Sequence, residues 1–164
     1  MAEAFNDKTL TADKAARYAE VADEIASVLD GEPNLTARMA TVASMLASSF
    51  DHYFWTGFYV VDPLKARELV VGPYQGTLGC LRIAYGRGVC GAAAQTGQTQ
   101  LVEDVHAFPG HIACDSRSAS EIVVPVFDAA GTLLAVFDVD SDKPAAFDIV
   151  DQQGIETILK ATFA

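Results

Sequence analysis

SEIVVPVFDAAGTLLAVFDVDS, residues 120–141, sets two apolar runs on either side of a short loop, and its reading decides the architecture. The runs are rich in Val, Ile and Phe, residue types that suit a pleated and half-buried surface. Ala129, Ala130 and Gly131 between them leave room only for a tight turn, so residues 120–128 and 132–140 form a hairpin and lie antiparallel. Successive side chains of a strand point to opposite faces, which puts Asp138 and Asp140 on one face and Phe137 and Val139 on the other. Glu121 opens the first strand. If the two strands pair in register, three carboxylates converge at one end of the sheet.

Working outward, the same kind of run recurs in FWTGFYVVD (54–62), ELVVGPYQG (68–76), GCLRIAYG (79–86) and TQLVEDV (99–105), which makes about six strands. GRGVCGAAAQTG, residues 86–97, is Ala-rich between glycines and predicts a small helix. Upstream, Tyr18, Val21, Ala22, Ile25, Val28 and Leu29 recur at helical spacing, with Thr11 as cap and Gly31 as stop. A second stripe, Leu35, Met39, Val42, Met45, Leu46 and Phe50, begins near Asn34. From Phe147, the spacing of Ile149, Val150, Ile155, Ile158 and Leu159 predicts a closing helix. Helices over 1–50, a central antiparallel sheet with its loops over 53–142 and a helix over 147–164 give a single α+β domain.

Composition narrows the functional classes. A chain of 164 residues that is 51% hydrophobic can close one core without disulfide staples. Its formal charge of −11 repels phosphate backbones and anionic lipid, which speaks against nucleic acid and membrane as partners. No run of eighteen apolar residues occurs. The start MAEAFNDKTL carries acids where a secretory leader needs a basic and then an apolar region. A soluble, cytoplasmic protein is the expectation, and in that reducing compartment Cys80, Cys90 and Cys114 are thiols, either resting or cycling.

Cys114 sits in the polar loop HIACDSRSAS, Cys80 precedes LRIAY, and Cys90 follows GRGV at a helix start whose positive dipole end favours a thiolate. Any one of them reads first as a small buried filler; three, each beside glycine or in a polar loop, shift the reading towards redox work. His106, His111 and Cys114 offer donors for zinc, but without a C-x-x-C or a fourth ligand at a usual spacing no metal is expected, and no cofactor is called for. His111 reads instead as a neighbour that tunes Cys114. Trp55 and Tyr59, four residues apart on a strand, share a face and form either core or an apolar wall for a thioether or methyl group. Glu121, Asp138 and Asp140, if clustered in a pocket rather than solvated, would select a cation such as an ammonium group and hold one proton near neutrality.

WTGFY (55–59), GPYQG (72–76), CLRI (80–83), GRGVCG (86–91), EDVHAFPGHIACD (103–115), SEIVVP (120–125) and FDVDS (137–141) together closely resemble the free methionine-(R)-sulfoxide reductases, stand-alone GAF-domain enzymes. The resemblance runs in order from about residue 34 to the end. It implies a GAF fold and reduction of free L-methionine (R)-sulfoxide to methionine, with thioredoxin restoring the oxidised thiols. It also implies that Cys114 is the nucleophile, Cys80 the resolving cysteine and Cys90 an auxiliary one. Glu121, Asp138 and Asp140 match acids that meet the ammonium and sulfoxide groups, with Glu121 or Asp140 supplying a proton, while Trp55 and Tyr59 match the wall around the methyl end. GAF domains often dimerise through helices outside the sheet, which implies a homodimer through the N-terminal helices. Phe54 departs from the pattern, where Asn is expected before the Trp. The rival readings are a GAF sensor that binds a small effector without chemistry, and a thiol redox sensor that forms the disulfide of Cys114 with Cys80 implied by the resemblance but has no substrate. Three thiols and an acidic pocket that repels phosphate count against the first.

Overall fold

The hairpin is formed as its turn requires. In a computed structural model that describes residues 13–112 and 114–164, β5 (Ser120–Phe127) and β6 (Leu133–Ser141) pair antiparallel, with Glu121 opposite Asp140 and Val124 opposite Phe137. The Asp128 carboxylate accepts from the amides of Ala130 and Thr132, both at 2.9 Å, and Gly131 takes the left-handed φ of 80° that closes such a turn. The strands stop one residue short of the turn on each side of the sequence expectation, and a bulge between Val126 and Phe127 absorbs the odd residue.

β1 (Trp55–Val61) adds to the other edge of β6, with Trp55 opposite Asp140 and Gly57 opposite Asp138. With β2 (Glu68–Gln75), β3 (Arg82–Ala84) and β4 (Gln100–Val102), the sheet has the order β3-β2-β1-β6-β5-β4, antiparallel throughout. β3 and β4 are three residues each, shorter than their β-type runs. Beyond Val102 the chain leaves the sheet for a 3₁₀ turn at Val105–Ala107, where the Asp104 carboxylate accepts from the His106 amide.

The alternation read from the sequence assigns the two faces. Phe58, Ile122, Val124, Phe137 and Val139 point to one side and are covered by α1 (Lys14–Val28), α2 (Leu35–Ser49) and α4 (Ile149–Phe163). There α2 lies on β1 and β2, α4 lies on β5, and α1 packs against α4. Trp55, Tyr59, Val123 and Val136 point to the other side, where α3 (Gly88–Thr96) covers β5 and β6.

Helix ends account for most departures from the periodicity. The N-cap of α1 is Asp13, whose carboxylate accepts from the Ala15 amide at 3.0 Å; Thr11 lies outside the described residues. Asn34 caps α2, Asp148 caps α4, and Phe147 enters the core just ahead of that cap. Val28 and Leu35, at the ends of their stripes, are 51% and 46% exposed. No helix among the described residues is long and apolar enough to cross a membrane.

One buried carboxylate ties α1, the start of β1 and α4 together. Asp151 is fully buried and accepts from Tyr18 Oη at 2.7 Å, His52 Nε2 at 2.7 Å, Lys14 Nζ at 2.6 Å and the Asp148 amide at 2.9 Å. Burial works to raise its pKa, but the hydrogen bonds from His52, Lys14, Asp148 and Tyr18 outweigh it and hold the group well below the usual carboxylate range. A depressed folded-state pKa stabilises the fold above the unfolded value of about 4, and that stabilisation is lost as pH falls through the folded value. Asp151→Ala, which strands Tyr18 and Lys14, is expected to cost about 3 kcal/mol in urea unfolding at pH 7, a difference that shrinks as the pH is lowered below about 4.

Candidate active site

The site is a cleft between the outer face of β1, β5 and β6 and the loops that cross it. Its wall begins with glycine. A Cβ on Gly57 would lie 2.3 Å from Tyr74 Cβ, so only glycine lets Tyr74 of β2 lean towards Trp55. The rings of Tyr59, Trp55 and Tyr74 form a continuous stack, with centroids 5.6 and 5.1 Å apart and planes within 17° and 21° of parallel. Trp55 Nε1 donates to the Thr77 carbonyl at 2.8 Å, and a Cβ on Gly79 would sit 2.9 Å from the indole. The backbone just before Cys80 is thereby laid directly on the aromatic wall.

Cys80 is bonded to Cys114, 34 residues later, with a Cα–Cα distance of 5.7 Å. Cys114 is exposed and stands at the rim of the cleft. The next residue forms a second strap between the same two loops, since Asp115 accepts from Thr77 Oγ1 at 2.7 Å. Arg117 grips that carboxylate through Nε at 3.0 Å and Nη2 at 2.8 Å, and with Thr77 it holds Asp115 well below the usual carboxylate range. Arg117 in turn stands 4.9 Å over the ring of Phe54. The residue that departs from the family pattern is therefore a platform for the loop that carries Cys114.

The floor is acidic and largely buried. Glu121 is 5% exposed and Asp138 4%, because the register places Glu121 beside Asp140 and sets Asp138 across from the side-chain-free Gly57. Burial first, and then repulsion from neighbouring carboxylates, raises all three carboxyls well above their ordinary range. Two carboxyls in that position share a proton, so the pair stores an acid at neutral pH. The convergence of the three acids and the face shared by Trp55 and Tyr59, both expected from strand periodicity, are present.

Two expectations are corrected. Cys90 occupies the first turn of α3, yet burial and the charges of Asp138, Glu121 and Asp140 push its thiol up, so the helix start does not make it a thiolate. Its Sγ lies 4.0 Å from Glu121 Oε1, as a thiol facing an acid. His111 meets Glu121 rather than tuning Cys114, with Nε2 3.6 Å from Oε2, and burial pushes its pKa down. Among the described residues, His106, His111 and Cys114 do not gather as ligands; the donors that do are Cys90, Glu121 and Asp138, all within 4.8 Å of one another. Tyr74, Thr77 and Asp115 were not legible as site residues. Only the glycines on either side of Tyr74, at 72 and 76, hinted that the backbone there packs closely.

The sequence pattern of the GAF domain matches residues 33–161. GAF domain-containing protein A of Dictyostelium discoideum is 46% identical over 147 residues, covering 90% of each chain. The free methionine-R-sulfoxide reductase of Escherichia coli is 39% identical over 142 residues, 87% of this chain and 84% of that one. An X-ray structure of the free methionine-R-sulfoxide reductase from Neisseria meningitidis, in complex with its substrate, superposes with a TM-score of 0.86 at 47% identity, covering 92% of this chain and 88% of that one. The chain belongs to the free methionine-R-sulfoxide reductases, a GAF-domain family of oxidoreductases.

The acids on the floor make a prediction about stability. A carboxyl whose folded pKa lies above its unfolded value binds more protons in the native state, so its contribution falls as pH rises past about 4. Asp138→Asn removes that cost while keeping the shape, and should raise the melting temperature at pH 8 by on the order of 3 °C, with no gain at pH 4.

Proposed function

We propose that the protein reduces free L-methionine (R)-sulfoxide to L-methionine through Cys114. The observation that carries this reading is the Cys80–Cys114 disulfide at the rim of a cleft whose wall is aromatic and whose floor holds two buried acids and a third, half-buried one. The Trp55–Tyr59 stack takes the S-methyl end, and the acids take the ammonium, a charge that methionine within a peptide lacks.

The chemistry follows from what each group can give. The Cys114 thiolate attacks the sulfoxide sulfur while a protonated carboxyl, Glu121 or Asp140, delivers a proton to the departing oxygen. The S–O bond breaks as the protonated oxygen passes to the Cys114 sulfur, the transient bond between the two sulfurs is given up, methionine leaves as the reduced product, and Cys114 becomes a sulfenic acid. The Cys80 thiol then attacks that sulfur, giving water and the disulfide, so that sulfenic acid is removed before further oxidation. A dithiol reductant of the thioredoxin type reopens the bond by exchange and supplies the two electrons of the cycle. Cys90, held as a thiol against Glu121, stands aside from this exchange. The bound ammonium offsets the negative field that the acids impose on the thiolate.

In a thioredoxin-coupled assay of NADPH consumption, the free (R) epimer is expected to turn over. The (S) epimer and the N-acetylated (R) form should react at least about 10²-fold more slowly. Cys114→Ser should lower kcat by about 10³-fold or more. Equal turnover of the N-acetylated form would remove the ammonium-binding role of the acids, and turnover by Cys114→Ser would remove its role as nucleophile.

A further inference from the structure

We infer that the floor of the cleft also binds a thiophilic divalent cation of the zinc class, held by Cys90, Glu121 and Asp138, and that this cation and the amino-acid substrate exclude one another. The three donors come from three elements, α3, β5 and β6, and all are buried. Their ligand atoms lie within 4.8 Å of one another, and Cys90 Sγ is already 4.0 Å from Glu121 Oε1. Donors on one tetrahedral zinc, at bond lengths of about 2.0–2.3 Å, stand roughly 3.3–3.8 Å apart, so the set closes on an ion by small side-chain adjustments.

Asp138 supplies a second observation. Asp138 is 4% exposed, and its Oδ1 has no hydrogen-bond partner among the described residues. A buried carboxylate oxygen in that state is costly unless a donor or cation reaches it. Donor chemistry selects the ion: a thiolate beside two carboxylates suits zinc or its spectroscopic substitute cobalt, whereas magnesium and calcium favour oxygen alone. On binding, Cys90 gives up its thiol proton and the carboxyl pair gives up the proton it shares, both to solvent. His111, whose Nε2 is 3.6 Å from Glu121 Oε2, stands where it can orient that ligand.

This site is separate from the reductase pair. With Cys80 and Cys114 bonded, Cys90 is the remaining thiol of the chain's three cysteines. The mutual exclusion rests on the reading that the acids hold the substrate's ammonium, since an ion that engages Glu121 and Asp138 leaves neither for that role. The cation would thus hold the enzyme idle rather than take part in its reaction.

The test uses the disulfide form of the full chain, titrated with Co²⁺. One equivalent should bind and produce a near-ultraviolet thiolate-to-cobalt charge-transfer band that Zn²⁺ displaces. Cys90→Ser should abolish the band, and Asp138→Asn should weaken binding at least about tenfold while the band persists. Absence of saturable binding, binding without the band, or a band that survives in Cys90→Ser overturns the site. With free Co²⁺ fixed by a chelating buffer, added L-methionine should diminish the band and N-acetyl-L-methionine should leave it unchanged; a band indifferent to methionine overturns the exclusion. Neither measurement uses turnover, so a failure here is distinguishable from failure of the reductase reading.

Discussion

Gathering three carboxyls on one face of a sheet, two of them out of water, is the constraint around which this molecule is organised. β6 carries Asp138 and Asp140, β5 sets Glu121 directly across from Asp140, and β1 sets Trp55 on its other side. A shift of one residue in either pairing would turn the acids into the helical core and bring Phe137 and Val139 into the cleft. The opposite face prevents that slip, because Phe58, Ile122, Val124 and Phe137 are fully or almost fully buried beneath the helices. The core thus fixes the chemistry by fixing the register. The cost of the cluster is electrostatic, and it is the same quantity that makes a carboxyl a proton donor at neutral pH.

The loops over the cleft show a second economy. The segment before Cys80 is anchored to the aromatic wall by Trp55, and the segment around Cys114 is anchored to it by Thr77 and Asp115. Arg117 links that assembly to Phe54, beside the wall it began from. Both sulfurs are therefore carried on segments that converge on Trp55, so two cysteines far apart in sequence meet without a shared element of secondary structure.

The parts of this arrangement that repeat with a period were readable from the chain. Alternation along residues 120–141 assigned Asp138 and Asp140 to one face, and it did so because a strand has no freedom to place them elsewhere. The spacing of Trp55 and Tyr59 was equally constrained, though whether they were wall or core depended on what covered them. What no period encodes was hidden: the Cys80–Cys114 pairing came only from the family resemblance, and the Thr77–Asp115–Arg117 strap had no signal at all. Cys90 shows the limit of local rules. A helix start alone argues for a thiolate, but the three acids that reverse the argument come from strands 31 and more residues away.

The central claim is that electrons pass from Cys114 and Cys80 to a sulfoxide bound over the acids, with Cys90 left aside. The direct measurement is a single turnover without reductant: fully reduced protein is mixed with an excess of free L-methionine (R)-sulfoxide, methionine is counted, and the cysteines are mapped by differential alkylation and mass spectrometry. The account predicts one methionine per chain, Cys80 joined to Cys114, and Cys90 still a free thiol. Release of methionine with a disulfide that includes Cys90, or formation of the disulfide with no methionine released, would contradict it.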